Sequence, residues 1–150
     1  MNIRQAALYL VACGLLTACD GDHGAMLVGD NQTDGDLLAR AQGNIWNSAA
    51  SHYDPAEIIA VLPANKRLVI AELPFAGGFE VQRVDILAPD CTQIGAIAVY
   101  GDQGTVVEIR DDLTVRLRKE FPQSGEPAQT TDRCHSLPSA TPSAPASPAS

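Results

Sequence analysis

The chain has 150 residues and a formal net charge of −8 at pH 7, from 18 acidic and 10 basic side chains. Phosphate backbones repel a surplus of acidic groups, so the charge argues against nucleic acid as a partner. The length accommodates one small domain, and a core of about 90 residues leaves little depth for a buried pocket.

The first residues have the layout of a secretory signal peptide. Arg4 supplies a positive charge, residues 6–18 carry none, and the sequence Leu-Thr-Ala-Cys at 16–19 ends this apolar run. These four residues resemble the lipobox of bacterial lipoproteins. The resemblance implies removal of the signal peptide 1–18, attachment of diacylglycerol to the sulfur of Cys19, and acylation of the new amino terminus by a fatty acid such as palmitate. Two or three acyl chains would hold the protein stably in a membrane of the cell envelope, facing the periplasm.

Three other interpretations of this segment remain open. An uncleaved membrane-spanning anchor needs about 20 apolar residues, and this run is shorter by about two helical turns. A plain secretory signal would not need a cysteine directly after Ala18. A similar box at 10–13 would leave only residues 6–12 as the apolar segment, so we favour Cys19 as the lipidated residue.

The residues after Cys19 bear on location. Asp20 is similar to the signal that retains lipoproteins in the inner membrane of enterobacteria, whereas most other residues at that position permit export to the outer membrane. Asp20 therefore favours the inner membrane and leaves the choice open. Residues 19–33 are rich in Gly, Asp and Asn, and we expect them to form a flexible tether.

Two cysteines remain for the domain. Cys13 leaves with the signal peptide and Cys19 is the expected lipid attachment site, so Cys91 and Cys134 are the pair left in an oxidising compartment. We expect a structural disulfide between them. A reactive or metal-binding cysteine is the alternative, although neither lies in a C-x-x-C or C-x-x-H spacing.

The first part of the domain has helical signals. Asp54, Pro55 and Glu57 are typical of a helix start, and they predict a second short helix through Val61 that ends at Pro63. The first helix is predicted over 36–50 from apolar residues at three- and four-residue steps, which are Leu37, Leu38, Ala41, Ile45 and Ala49.

The second part alternates with a period of two, which predicts strands. An apolar run at 68–71 is the first, and the segment 79–86 alternates only if an extra residue near Gln82 and Arg83 forms a bulge. Three further strands predict a meander in which Ile109 opposes Leu113 across a turn at 110–112. Small residues at 96 and 98 would leave room for a helix.

These elements predict an α+β fold: two short helices followed by a four- to five-stranded antiparallel β-meander in one domain, 34–134. The order resembles that of small helix-then-meander lipoproteins of outer-membrane assembly, at the level of fold alone. Residues 135–150 contain mostly Ser, Pro, Ala and Thr, and this composition predicts a disordered tail.

One face of the meander combines apolar residues with a charged rim, as contact surfaces do. The residues of this candidate partner-contact face are Ile97, Val99, Val106, Arg116 and Arg118. The alternative is that another segment of the chain covers the face.

No catalytic motif and no metal-ligand spacing occurs in the sequence, and His52 beside Asp54 is the one weak catalytic signal. We therefore expect no enzyme activity, no cofactor and no metal. The expected function is a non-enzymatic, membrane-anchored interaction, assembly or inhibitor module with a protein partner in the envelope. A small-ligand or metal-binding periplasmic lipoprotein is the alternative.

Overall fold

The computed structural model describes residues 26–72, 79–100 and 103–136, and these residues form a β-sandwich. Its eight strands are β1 (Met26–Asn31), β2 (Leu37–Asn47), β3 (His52–Leu62), β4 (Lys66–Glu72), β5 (Phe79–Leu87), β6 (Gln93–Ala98), β7 (Val106–Ile109) and β8 (Val115–Arg118). No helix occurs among these described residues.

The strands form two four-stranded sheets. The first sheet has the order β4-β1-β7-β8, and the second has the order β3-β2-β5-β6. β1 and β7 pair in parallel, whereas the other neighbouring pairs are antiparallel. Because the side chains of a strand alternate between its two faces, each sheet turns one apolar face towards the other. The largest side chains in this interior include Leu27, Leu62, Ile86 and Ile109.

The predicted α+β class is wrong, because both expected helices are strands. The segment 36–50 contains β2, and the segment 54–61 lies in β3. Leu37 packs in the interior cluster, while Leu38 packs in a separate cluster on the outer face of the second sheet. Since both faces of β2 are apolar here, the period of two is hidden and the residues satisfy a helical stripe instead.

The helix-start signal at 54–57 also has a different cause. Pro55 lies in β3, an edge strand, where a missing N–H group is tolerated. Asp54 caps no helix, and its Oδ2 accepts a hydrogen bond from Asn47 Nδ2 at 2.8 Å. The resemblance to helix-then-meander lipoproteins therefore fails together with the helices.

The expected meander is also wrong in its pairing. β6 pairs with β5 in the second sheet, whereas β7 pairs with β1 and β8 in the first. Ile109 pairs with Val115 and not with Leu113, so the turn spans 110–114. Leu113 adopts a positive φ of 63° and is 46% exposed. Asp112 Oδ1 accepts hydrogen bonds from the backbone N and the Oγ1 of Thr114, which favours this longer turn.

The predicted bulge in β5 is confirmed. Gln42 pairs with Arg83 and Gly43 pairs with Val81, so Gln82 is the extra residue. The bulge brings β5 so close to β2 that a Cβ atom on Gly43 would lie 1.8 Å from the carbonyl oxygen of Glu80. The apolar run predicted at 68–71 is likewise a strand, because it lies within β4.

The domain begins earlier than the sequence indicated. β1 lies between β4 and β7 at the middle of the first sheet, although its residues fall in the expected tether 19–33. At its end, the Asn31 Nδ2 donates hydrogen bonds to the carbonyl oxygens of Leu62 at 2.9 Å and Pro63 at 3.1 Å. The signal peptide, Cys19 and the other tether residues before Met26 lie outside the described residues.

A C-terminal segment, 122–136, joins the edges of the two sheets. Pro127 forms a bridge with Val69 of β4, and Thr130 forms a bridge with Ala60 of β3. The segment then reaches the outer face of the second sheet, where Cys134 packs against the cluster that contains Leu38. One side of the sandwich is thus closed by backbone hydrogen bonds. Residues 137–150 of the expected tail lie outside the described part of the chain.

Candidate binding site

The two cysteines expected to pair are joined in the structure. Their Cα atoms lie 5.3 Å apart, within the range of a disulfide. Cys91 lies in the β5–β6 turn and Cys134 in the C-terminal segment, so this bond attaches that segment to the second sheet. Cys91 and Cys134 thus form a pair at disulfide distance, as the sequence predicted.

The structure does not bring the apolar members of the candidate partner-contact face together. Ile97 and Val99 pack against the interior cluster, whereas Val106 packs with Val28 and Val69 in a different cluster. β6 and β7 belong to different sheets, so their side chains do not share one face. Val99 is 9% exposed and Val106 is fully buried, which leaves them little surface to offer a partner.

The charged members of that face surround a buried carboxylate. Arg110 Nε and Arg116 Nε each donate to Glu108 Oε1 at 2.8 Å, and Arg118 Nη1 donates to Oε2 at 3.2 Å. The Glu108 side chain is only 3% exposed. The hydrogen bond from Arg110, followed by those from Arg116 and Arg118, lowers the pKa of Glu108 to about 2 against the effect of burial.

The ion-pair network extends across the first sheet. Arg118 also bonds Asp30 and Glu120, and Arg67 binds the other oxygen of Glu120. Hydrogen bonds to Glu120 and Glu108 raise the pKa of Arg118. Because these guanidinium groups already bind carboxylates of the same domain, the arrangement stabilises the sheet and offers no ready anion site.

The weak catalytic signal at His52 resolves into a hairpin contact. His52 Nε2 lies 2.7 Å from Asp54 Oδ1, and this hydrogen bond raises the pKa of His52. Hydrogen bonds from Asn47 and then from His52 lower the pKa of Asp54. Both side chains are exposed on the β2–β3 hairpin, where their hydrogen bond joins two residues near its tip.

Large apolar and aromatic side chains are exposed at one end of the sandwich. β1 and β3 end together, because Asn31 at the end of β1 contacts Leu62 at the end of β3. Both strands therefore also start at the same end of the sandwich, and we call the end where they start the aromatic end. Its side chains, each between 38% and 56% exposed, are Ile45, Trp46, Tyr53, Tyr100 and Phe121. They are five of the six large apolar or aromatic side chains that are exposed among the described residues, and Leu113 lies at the other end.

The β2–β3 hairpin carries the centre of the aromatic end. Trp46 pairs directly with Tyr53, and their ring centroids are 5.0 Å apart in an edge-to-face arrangement. Asn47 fixes the tip from both sides, because its amide donates to Asp54 and its Oδ1 accepts from the backbone N of Ala50 at 3.2 Å. The two rings are therefore presented on an ordered hairpin.

The chain also enters the domain at the aromatic end. Met26 starts β1 there, and its backbone N donates to the carbonyl oxygen of Pro122 at 2.9 Å, next to Phe121. Six residues, 20–25, separate Met26 from the cysteine of the lipobox. The first described residue of the chain and the exposed aromatic side chains thus lie at the same end of the sandwich.

The sequence pattern does not indicate the aromatic end, because Trp46 falls in the predicted helix 36–50 and Tyr53 lies between the two predicted helices. A signal was present, since small and polar residues at 47–51 separate two segments with aromatic residues, a pattern typical of a hairpin. Ser51 adopts a positive φ of 55° in that turn.

Comparison with protein-family models, curated proteins and solved structures finds no match to this chain. Within the described ranges, no three His, Cys, Asp or Glu side chains form a group that could hold a metal ion. The same ranges contain no helix with the length and apolar character that crossing a membrane requires.

Proposed function

We propose that this chain is a lipid-anchored binding module of the cell envelope that acts without catalysis and makes its contact through the aromatic end. The observation that carries the proposal is the concentration of exposed apolar side chains at the end where the chain enters the domain. Several large apolar side chains exposed at one end of a small domain are typical of a contact site. The lipobox at 16–19 supports the second part of the proposal, which is a lipid anchor on Cys19.

The anchor is tested in cells that express the full chain. We expect radiolabelled palmitate to enter the protein, globomycin to block its processing, and Cys19→Ala to abolish both labelling and cleavage. Cys13→Ala is the matched control and should leave both unchanged. Labelling that persists in the Cys19→Ala variant, or an unmodified thiol at residue 19 by intact mass, would contradict the anchor.

The contact surface is tested by photo-crosslinking in intact cells. A photoreactive phenylalanine analogue replaces Tyr53 at the aromatic end, and in a matched variant it replaces Leu113 at the opposite end, where exposure is similar. We expect adducts with an envelope component at position 53 in at least severalfold excess over position 113. Equal adduct formation at the two positions would contradict a contact through the aromatic end.

A further inference from the structure

The composition of the aromatic end indicates the chemistry of its partner. Trp46, Tyr53 and Tyr100 each combine an apolar ring with one polar atom, while Ile45 and Phe121 are wholly apolar. Rings of the first kind are enriched where one end of a side chain meets hydrocarbon and the other meets water. The boundary between lipid headgroups and acyl chains is such an environment.

The short segment between Cys19 and Met26 limits the distance between the aromatic end and the anchor. Only residues 20–25 separate Cys19 from Met26. A fully extended chain advances at most about 3.6 Å per residue, so the Cα atoms of Cys19 and Met26 lie within roughly 25 Å of each other. A surface attached by so short a link meets the anchoring bilayer at an effective concentration of roughly millimolar or more.

The orientation of the sandwich follows from the strand directions. β1 runs away from the aromatic end, so the turn at 110–114 lies at the end remote from the anchor. β2 alone has eleven residues, and a strand of that length spans roughly 35 Å. The aromatic end is therefore the end that the tether holds nearest to the lipid surface.

From these observations we propose that the aromatic end docks into the headgroup layer of the same bilayer that holds the Cys19 anchor. This inference rests on the proposed function and names the partner of its contact site. A protein partner and a second copy of this chain are the competing occupants, and they predict different outcomes below.

The charges at this end specify the lipid class. Glu72 and Glu80 are exposed near the starts of β1 and β5, and Lys119, which follows β8, is an exposed cation at the same end. Glu120 is bound by Arg67 and Arg118, so the exposed carboxylates outnumber the exposed lysine. Exposed carboxylates at the docking surface are repelled by anionic headgroups. Docking therefore favours zwitterionic lipid.

Trp46 is the sole tryptophan of the chain and serves as the probe. The lipidated full-length protein is reconstituted into phosphatidylcholine vesicles that contain lipids brominated at defined depths. We expect strong quenching of Trp46 by bromine near the glycerol backbone, at least threefold weaker quenching by bromine near the bilayer centre, and protection from aqueous acrylamide.

The matched control moves the tryptophan to the opposite end. In the double variant Trp46→Phe/Leu113→Trp, the ring at position 46 stays aromatic and the probe occupies another exposed position. We expect that probe to be quenched fully by acrylamide and not by brominated lipid. Equal brominated-lipid quenching of both proteins would overturn the proposed orientation.

The quenching results distinguish the bilayer from the two competing occupants, a second copy of this chain and another protein. Trp46 that is open to acrylamide and unaffected by brominated lipid would overturn the docking. Trp46 that is shielded from acrylamide in this purified system without brominated-lipid quenching would also overturn it, and would assign the surface to a second copy. Protection that appears only when envelope extract is added would assign it to another protein and overturn the docking likewise.

Anchor failure is measured separately by flotation of the protein with the vesicles and by intact mass. A chain without lipid on Cys19 would contradict the proposed function and the docking with it. A lipidated chain that floats but gives no brominated-lipid quenching would contradict the docking alone.

The lipid preference gives a second readout. Replacing a third of the phosphatidylcholine by phosphatidylglycerol should reduce the quenching of Trp46, and the double variant Glu72→Gln/Glu80→Gln should lose most of that sensitivity. Stronger quenching with phosphatidylglycerol would contradict the assignment to zwitterionic lipid.

Discussion

At the scale of single residues, the first sheet keeps a charge in a nearly buried position. Glu108 is paired with Arg116 of β8 and bonded by three guanidinium groups. An ionised carboxylate is stable when buried only if charge-assisted hydrogen bonds replace its lost hydration. The arginines therefore serve to keep Glu108 charged and to hold β7 against β8.

We expect Glu108→Gln to lower the free energy of unfolding by about 1–3 kcal/mol at pH 7, because the amide loses the charge that three arginines bind. Asp111→Asn, in the exposed turn after β7, should change it by less than about 0.5 kcal/mol. Urea unfolding followed by circular dichroism measures both values.

Comparison of the wild type with Glu108→Gln also tests the pKa of Glu108. Its folded-state pKa of about 2 lies below the ordinary 4.5, so its stabilising contribution is complete above pH 4.5 and is lost as the pH falls towards 2. The difference in unfolding free energy between wild type and Glu108→Gln should therefore shrink over that window. A difference that stays constant from pH 6 to pH 2.5 would contradict the lowered pKa.

At the scale of elements, the pairing of β2 with β5 depends on a residue without a side chain. Gly43 lies beside the bulge at Gln82, where the carbonyl oxygen of Glu80 occupies the place of a Cβ atom. A larger residue must push the backbone of β5 away. The bulge and the glycine are thus one structural device, although they lie far apart in the sequence.

Gly43→Ala distinguishes the strand from the helix that the sequence predicted. In a helix the change would stabilise by about 1 kcal/mol, whereas in this sheet we expect a loss of about 2 kcal/mol or more through steric overlap. Gly35→Ala is the matched control, because a Cβ atom on Gly35 would have no neighbouring atom within 4 Å. Thermal unfolding of the three proteins decides the sign, and an increase in Tm for Gly43→Ala would contradict the register.

At the scale of the whole molecule, the C-terminal segment holds the two sheets together. It bridges β4 of the first sheet and β3 of the second, and then continues to Cys134. Release of this segment should therefore weaken the closed side of the sandwich and not one strand alone.

We expect the double variant Cys91→Ser/Cys134→Ser to lose about 3–4 kcal/mol of stability, because the bond spans a sequence separation of 43 residues and restricts the unfolded chain. Reducing agent should lower the Tm of the wild type to that of the variant and leave the variant unchanged. If the Tm of the wild type stays unchanged after its disulfide has been fully reduced, the bond contributes little to stability.

The local pattern of the sequence was sufficient for features that depend on neighbouring residues or on elimination. The strand at 68–71, the bulge at Gln82 and the pairing of Cys91 with Cys134 could all be predicted. A continuous apolar run, an interrupted alternation and the number of available cysteines specify them in turn. The lipid anchor at Cys19 is also a statement about local pattern, and it stays a prediction.

Only the tertiary structure decided which strands pair and which side chains stay exposed. An apolar residue such as Leu38 satisfies a helical stripe as well as a two-faced strand, and the choice depends on partners such as Leu87, far along the chain. The separation of β6 from β7 into different sheets likewise follows from long-range hydrogen bonds. The aromatic end arises in the same way, because Trp46, Tyr100 and Phe121 lie at the same end of the molecule only when both sheets have formed.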